Sequence, residues 1–171
     1  QPGSLFLALK GHATDGRMFM QQAEQKGAAA ILFDNSDGFV PPELSIPCIP
    51  VPALAEKVSE LAGLFYDSPA QKLDLVGVTG TNGKTTTTYL LKAILEAAGY
   101  RVGLIGTIQS LIGDEKVPAK NTTPDVVELQ ALLWRMAEAG MDYVVMEVSS
   151  HALALDRIAG CEFDMAMFTN M

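Results

Sequence analysis

Cysteine is scarce: Cys48 and Cys161 are the only two in 171 residues, and they lie far apart. So sparse a pair cannot form the disulfide framework of a small secreted domain, and a chain of this length does not need one. Two reduced, mostly buried thiols are expected. Histidine is equally rare, with only His12 and His151, which argues against a structural zinc site. Positive charge is in deficit. Twelve Lys and Arg face twenty Asp and Glu, for a net charge of −8, which excludes the basic footprint that nucleic acid or an anionic membrane requires. Long hydrophobic runs are missing as well. No apolar stretch approaches the ~20 residues that cross a bilayer, and no charged segment followed by an apolar one marks a signal peptide. The expectation is a cytoplasmic protein with no nucleic-acid partner and no membrane insertion. The chain starts at Gln1-Pro2-Gly3 and stops at Asn170-Met171, just past an apolar run, and reads as a piece of a longer protein.

What is present is a core. Hydrophobic residues make up 49% of the chain and charged residues 19%, enough apolar surface to fold. Strand-like and helix-like segments alternate, the order that favours parallel pairing. Ser4–Leu9 and Ala29–Phe33 read as strands around a helix from Gly16 to Lys26, which Gly27 stops. The proline-rich stretch Asp34–Pro52 holds a short strand at Cys48–Val51, and Pro52 suits the first turn of the next helix. Tyr66–Ala70 is the candidate linker. Beyond it, Leu73–Thr79, Val102–Thr107, Tyr143–Val148 and Phe163–Phe168 read as strands. Thr85–Ala98 and a segment capped by Thr123, with Pro124 at its first position and running to Ala139, read as helices. Lys116 and Lys120 fall in a polar loop. Two α/β domains are expected, residues 1–70 and 71–171, the second Rossmann-like with a mainly parallel sheet.

The sharpest motif is Gly80-Thr81-Asn82-Gly83-Lys84-Thr85-Thr86, which follows an apolar strand and opens a helix. Glycines let the backbone curl until successive N–H groups point at phosphate oxygens. The helix N-terminus adds about half a positive charge. Lys84 can neutralise the β- and γ-phosphates of ATP, and the Thr85 hydroxyl can ligate Mg2+. The spacing departs from the general P-loop, since Val78 stands where that pattern has glycine. Glu147 sits near the end of the apolar run Tyr143–Val148, the end of a parallel strand at which ligands bind. A carboxylate there calls for a cation, and Mg2+ beside a nucleotide supplies one. Ser149-Ser150-His151 lacks the flanking glycines of a nucleophile elbow, so His151 is expected to be a packed histidine and not part of a hydrolase.

Gly80–Thr86 resembles the ATP motif of the Mur ligase family, a group that includes the muramyl ligases, cyanophycin synthetase and folylpolyglutamate synthetase. Three further stretches narrow the resemblance to the branch that extends UDP-N-acetylmuramoyl-L-alanyl-D-glutamate. They are Pro2–Ala8 with Gly11-His12 and Asp15-Gly16, Asn121-Thr122-Thr123-Pro124, and Met146–Leu153 with Arg157 beyond. The resemblance implies a small N-terminal UDP-substrate domain followed by a truncated ATP-binding domain. It implies that Gly80, Thr81, Asn82, Gly83, Lys84, Thr85 and Thr86 hold ATP and that Thr85 and Glu147 hold Mg2+, with Lys84 and Glu147 serving catalysis. His12, Ala13 and Thr14 would lie near the uridine end of the acceptor. Asn121, Thr122, Thr123, Ser149 and Arg157 would contact its UDP-muramyl part. One position departs: Leu155 stands where many members have glutamine. The implied chemistry is amide formation through an acyl phosphate, with an amino acid as second partner in a monomeric enzyme. Its remaining catalytic elements would lie beyond residue 171, leaving this stretch inactive alone. Another Mur-type ligase, or a non-catalytic nucleotide-binding module, remains open as an alternative.

Overall fold

Alternating strands and helices gather into two units, Gln1–Val58 and Ser59–Met171. The computed structural model describes residues 2–11 and 14–171. The division falls inside helix α2 (Leu54–Phe65), ahead of the linker read at Tyr66–Ala70.

The first unit carries a three-stranded parallel sheet in the order β1 (Leu5–Ala8), β2 (Ala30–Phe33), β3 (Cys48–Pro50). Ala8, Met20, Ile31 and Phe33 form its buried core. The segment expected as one helix from Gly16 to Lys26 is a 3-10 turn (Gly16–Phe19) leading into a short α1 (Met20–Gln25). The Asp15 carboxylate accepts from the Arg17 amide and tightens that first turn. Pro52 lies outside α2, because Ala53 takes φ +52 before the helix starts at Leu54.

Arg17 is the buried charge of this unit, and all five of its guanidinium donors are used. Nε and Nη2 meet Asp15, Nη1 and Nη2 meet Asp37, and Nη1 also reaches the carbonyl of Asp34. The Phe39 ring lies 4.3 Å beneath the guanidinium carbon, a favourable cation–π placement. The start of the 3-10 turn and the loop after β2 are thus tied to one side chain. Charge-assisted bonds from Arg17 hold the Asp15 and Asp37 carboxyls below the usual carboxylate range.

The second unit is a six-stranded sheet in the order β7 (Glu115–Pro118), β6 (Gln109–Ile112), β5 (Val102–Ile105), β8 (Tyr143–Glu147), β4 (Asp74–Thr79), β9 (Met165–Phe168). β4, β5, β8 and β9 run parallel. Side chains alternate along the strands. Val76, Val78, Val102 and Val145 face Leu91 and Leu95 of α3 (Lys84–Ala97). Leu75, Val144 and Met146 face Leu129, Leu133 and Met136 of α4 (Val126–Glu138). Each fully buried Leu or Met contributes about 1.5–3 kcal/mol by leaving water. This is a mainly parallel sheet with helices on both faces, as the pattern predicted.

Three differences have physical causes. The polar stretch read as a loop is an antiparallel hairpin, β6 (Gln109–Ile112) and β7 (Glu115–Pro118), joined by Gly113-Asp114. Gly113 takes φ +59, the sign that a tight two-residue connection demands at its first position. α4 starts at Val126 with Asp125 as N-cap, so Thr123 does not cap it and Pro124 precedes its first turn; the Thr123 hydroxyl is committed elsewhere. A short α5 (Ser150–Ala154), which the sequence did not suggest, follows β8 and leaves His151 exposed, not packed. Both cysteines are free and only half-buried. Burial pushes the Cys161 thiol up to about 11. Among the described residues no helix is long and apolar enough to cross a membrane.

Candidate functional site

The glycine loop, Thr107, Glu147 and the Thr169-Asn170 pair all lie at the carboxyl ends of parallel strands, the edge at which such sheets bind ligands. The turn after β4 is the glycine loop, with Gly80 at φ +128 and Gly83 at φ +84 as N-cap of α3. A side chain at Gly80 would collide with Thr169 Oγ1 at 2.3 Å, because the exit of β9 packs against the loop. Thr81 N donates to the Asn170 carbonyl and Asn82 N to Asn170 Oδ1, both at 3.0 Å. The Thr169 hydroxyl and the Asn170 side-chain amide return two bonds to the Asn82 carbonyl. Lys84 folds back, with Nζ donating to the carbonyls of Gly80 (2.6 Å) and Thr81 (3.2 Å). Its ammonium therefore lies over the loop's own curl.

Glu147 ends β8 and is 1% exposed. Its Oε1 accepts from the Thr107 amide at 3.0 Å, and its Oε2 from the hydroxyls of Thr107 (2.9 Å) and Thr85 (3.0 Å). Gly106 makes room for this, since a Cβ there would lie 2.4 Å from Oε1. Among the described residues no basic side chain pairs with this carboxylate. A buried carboxylate held only by neutral donors is expensive unless a cation joins it. Thr81, Asn82, Gly83, Lys84, Thr85, Thr86, Thr107, Thr122 and Glu147 line one open cavity of about 230 Å³. Glu147 and the Thr85 hydroxyl, one charged and one neutral oxygen donor, suit Mg2+ completed by phosphate oxygens and water. No cluster of three His, Cys, Asp or Glu able to hold a metal occurs among the described residues.

The other expected site residues sit beside this cavity or carry internal duties. Thr122 lines it, and its hydroxyl lies 3.1 Å from that of Thr107. Thr123, 1% exposed, donates its hydroxyl to the Glu147 carbonyl and accepts from the Ser149 amide. It staples the Asn121–Thr123 loop to the end of β8. The Ser149 hydroxyl caps α5 by accepting from Ala152 N. Arg157 reaches the Thr123 carbonyl at 3.3 Å and Asp125 at 3.2 Å. Asn121 lines a separate cavity of about 140 Å³ with Lys120 and Pro124. Thr14 belongs to the first unit, where its carbonyl accepts from Gly11 N. His12 and Ala13 lie outside the described residues. Leu155 is exposed. The sequence reading missed Gly106, Thr107, Thr169 and Asn170. Their one available signal was position, since each follows a parallel strand.

Two family profiles cover the chain. The Mur ligase family catalytic domain matches residues 1–66, and the Mur ligase middle domain matches residues 78–171. The chain is 46% identical over 171 residues to the UDP-N-acetylmuramoyl-L-alanyl-D-glutamate–2,6-diaminopimelate ligase of Caldanaerobacter subterraneus subsp. tengcongensis, covering all of this chain and 35% of that protein. It is 47% identical over 169 residues to the Bacillus cereus protein of the same name, covering 99% and 33%. A solved structure of such a ligase superposes with a TM-score of 0.77 at 28% identity, covering 99% of this chain and 34% of that one. The chain thus spans about a third of the length of the curated relatives it matches.

Proposed function

The chain belongs to the Mur ligase family, and from that premise we propose that the intact protein is an ATP-dependent ligase of the UDP-N-acetylmuramoyl-tripeptide synthetase type. It joins an amino acid to the terminal carboxylate of UDP-N-acetylmuramoyl-L-alanyl-D-glutamate in the cytoplasm, as a monomer. Relatives named for 2,6-diaminopimelate at 46% and 47% identity favour that amine over lysine. The single observation that carries the reading is the buried Glu147 carboxylate, held by neutral donors and sharing one cavity with Thr85 and Lys84.

The residues divide the work. The Gly80–Thr86 turn and the α3 N-terminus cradle the phosphates of ATP. Lys84 exchanges its two backbone carbonyls for the β- and γ-phosphates and offsets the repulsion between two anionic reactants. Bound Mg2+ would supply further neutralisation of that charge, held by Thr85 and Glu147. Asn121, Thr122, Thr123, Ser149 and Arg157 surround the acceptor's UDP-muramyl portion, and the turn around His12, Ala13 and Thr14 takes its uridine end. The acceptor carboxylate attacks the γ-phosphoryl group and releases ADP. The amine then attacks the resulting acyl phosphate and releases inorganic phosphate.

The test is ADP release by the full-length protein, supplied with UDP-N-acetylmuramoyl-L-alanyl-D-glutamate and either meso-diaminopimelate or L-lysine. Turnover requiring the dipeptide acceptor and one amine supports the proposal. ADP release indifferent to the UDP-sugar peptide would show a nucleotide-binding module instead.

A further inference from the structure

Glu147 receives three hydrogen bonds, and two of them come from one residue outside the nucleotide loop. Thr107 gives its amide to Oε1 and its hydroxyl to Oε2. The third, from Thr85, comes from the hydroxyl that a metal ion would claim for itself. Once Thr85 turns to the ion, Thr107 is what keeps the carboxylate aimed. The backbone is shaped for this: β5 delivers Gly106 against Oε1 with no room for a side chain, so the next amide points at the carboxylate.

The hydrogens also have a fixed direction. An ionised carboxylate only accepts, so the single proton of the Thr107 hydroxyl goes to Glu147. The Thr122 hydroxyl, 3.1 Å away, must then be the donor in its contact with Thr107. The result is a relay from the Asn121–Thr123 loop, through Thr107, to the carboxylate beside the nucleotide loop. We propose that Thr107 is a positioning residue that holds Glu147 for the nucleotide's Mg2+ and, through Thr122, links the acceptor loop to that ion. The inference rests on the ligase reading given above.

Calorimetric titration of the full-length protein with ADP or a non-hydrolysable ATP analogue, with and without Mg2+, tests it. Thr107→Val keeps the shape and the amide but removes the hydroxyl. It should cut the Mg2+-dependent gain in nucleotide affinity about tenfold, the scale of one hydrogen bond to a charged group. Metal-free affinity should stay close to wild type. Thr107→Ser should restore the gain, which a merely structural role would not require. Thr122→Val should weaken the change in nucleotide affinity that saturating UDP-N-acetylmuramoyl-L-alanyl-D-glutamate produces, and an unchanged coupling would overturn the link through Thr122. Wild-type protein with no Mg2+-dependent nucleotide binding overturns both this inference and the ligase reading. A normal Mg2+ gain in Thr107→Val overturns the role of Thr107 alone.

Discussion

Lys84 is anchored only by two backbone carbonyls of its own loop, and that makes its removal informative. Lys84→Ala should abolish measurable nucleotide binding while the unfolding midpoint in denaturant barely moves, because no core contact is lost. Calorimetry showing unchanged affinity would refute its assignment. Gly106 gives the opposite kind of test. Gly106→Ala places a methyl 2.4 Å from Glu147 Oε1 and forces the carboxylate or the strand to shift. Overpacking of this sort costs about 1–3 kcal/mol, read as a lower urea midpoint. A neutral result would mean that Glu147 is free to swing. At this scale the sequence was partly legible. Gly-Lys-Thr at a strand-to-helix junction announces its chemistry locally, and so does a carboxylate at the end of an apolar run. Thr107, Thr169 and Asn170 carry no such mark. Their roles depend on β5 and β9 flanking β8 and β4 in the sheet, a long-range arrangement that no local pattern encodes.

Among the elements, the 3-10 turn of the first unit depends on Arg17, and the dependence has a pH signature. Asp15 and Asp37 have folded pKa values below those of the unfolded chain. Their contribution is therefore fully present above the ordinary carboxylate range of about 4 and drains away as pH falls below it toward the depressed values. Circular dichroism through an acid titration should show wild type losing stability across that window, and Arg17→Met losing less. Identical profiles would mean that the cluster is too well solvated to matter, since both carboxylates are partly open to water. The elements the sequence misplaced share a cause. The β6–β7 hairpin is short, polar and on a sheet edge, so apolar periodicity could not reveal it, although Gly113-Asp114 was a usable turn signal. Thr123 looked like a helix cap because its competing partner, the end of β8, lies 24 positions away.

For the molecule as a whole, the two edges of the large sheet are unequal. β7 presents Glu115, Lys116 and Pro118, residues that discourage further pairing. β9 is the other edge, and Met165, Met167 and Phe168 on it are all exposed. The 171-residue chain on its own should self-associate as its concentration rises, and Met167→Lys should suppress this. Sedimentation velocity that finds a monomer at every concentration would contradict the expectation. Alternation of strands and helices was enough to read a mixed α/β chain with mostly parallel sheets, because burial on both faces of a parallel sheet writes itself into apolar runs. Where compactness divides the chain was not readable in the same way, since α2 continues through that point with an unbroken helical pattern.

The lacing of the glycine loop to Thr169 and Asn170 has a mechanical meaning. Thr169 directly follows β9, and Asn170 comes next, so the loop keeps its curl only while that border strand stays in register with β4. Its stiffness is inherited from the least sheltered strand of the sheet. Fraying at that margin would slacken the phosphate cradle before it disturbed the core, and whatever braces the margin sets how taut the cradle is.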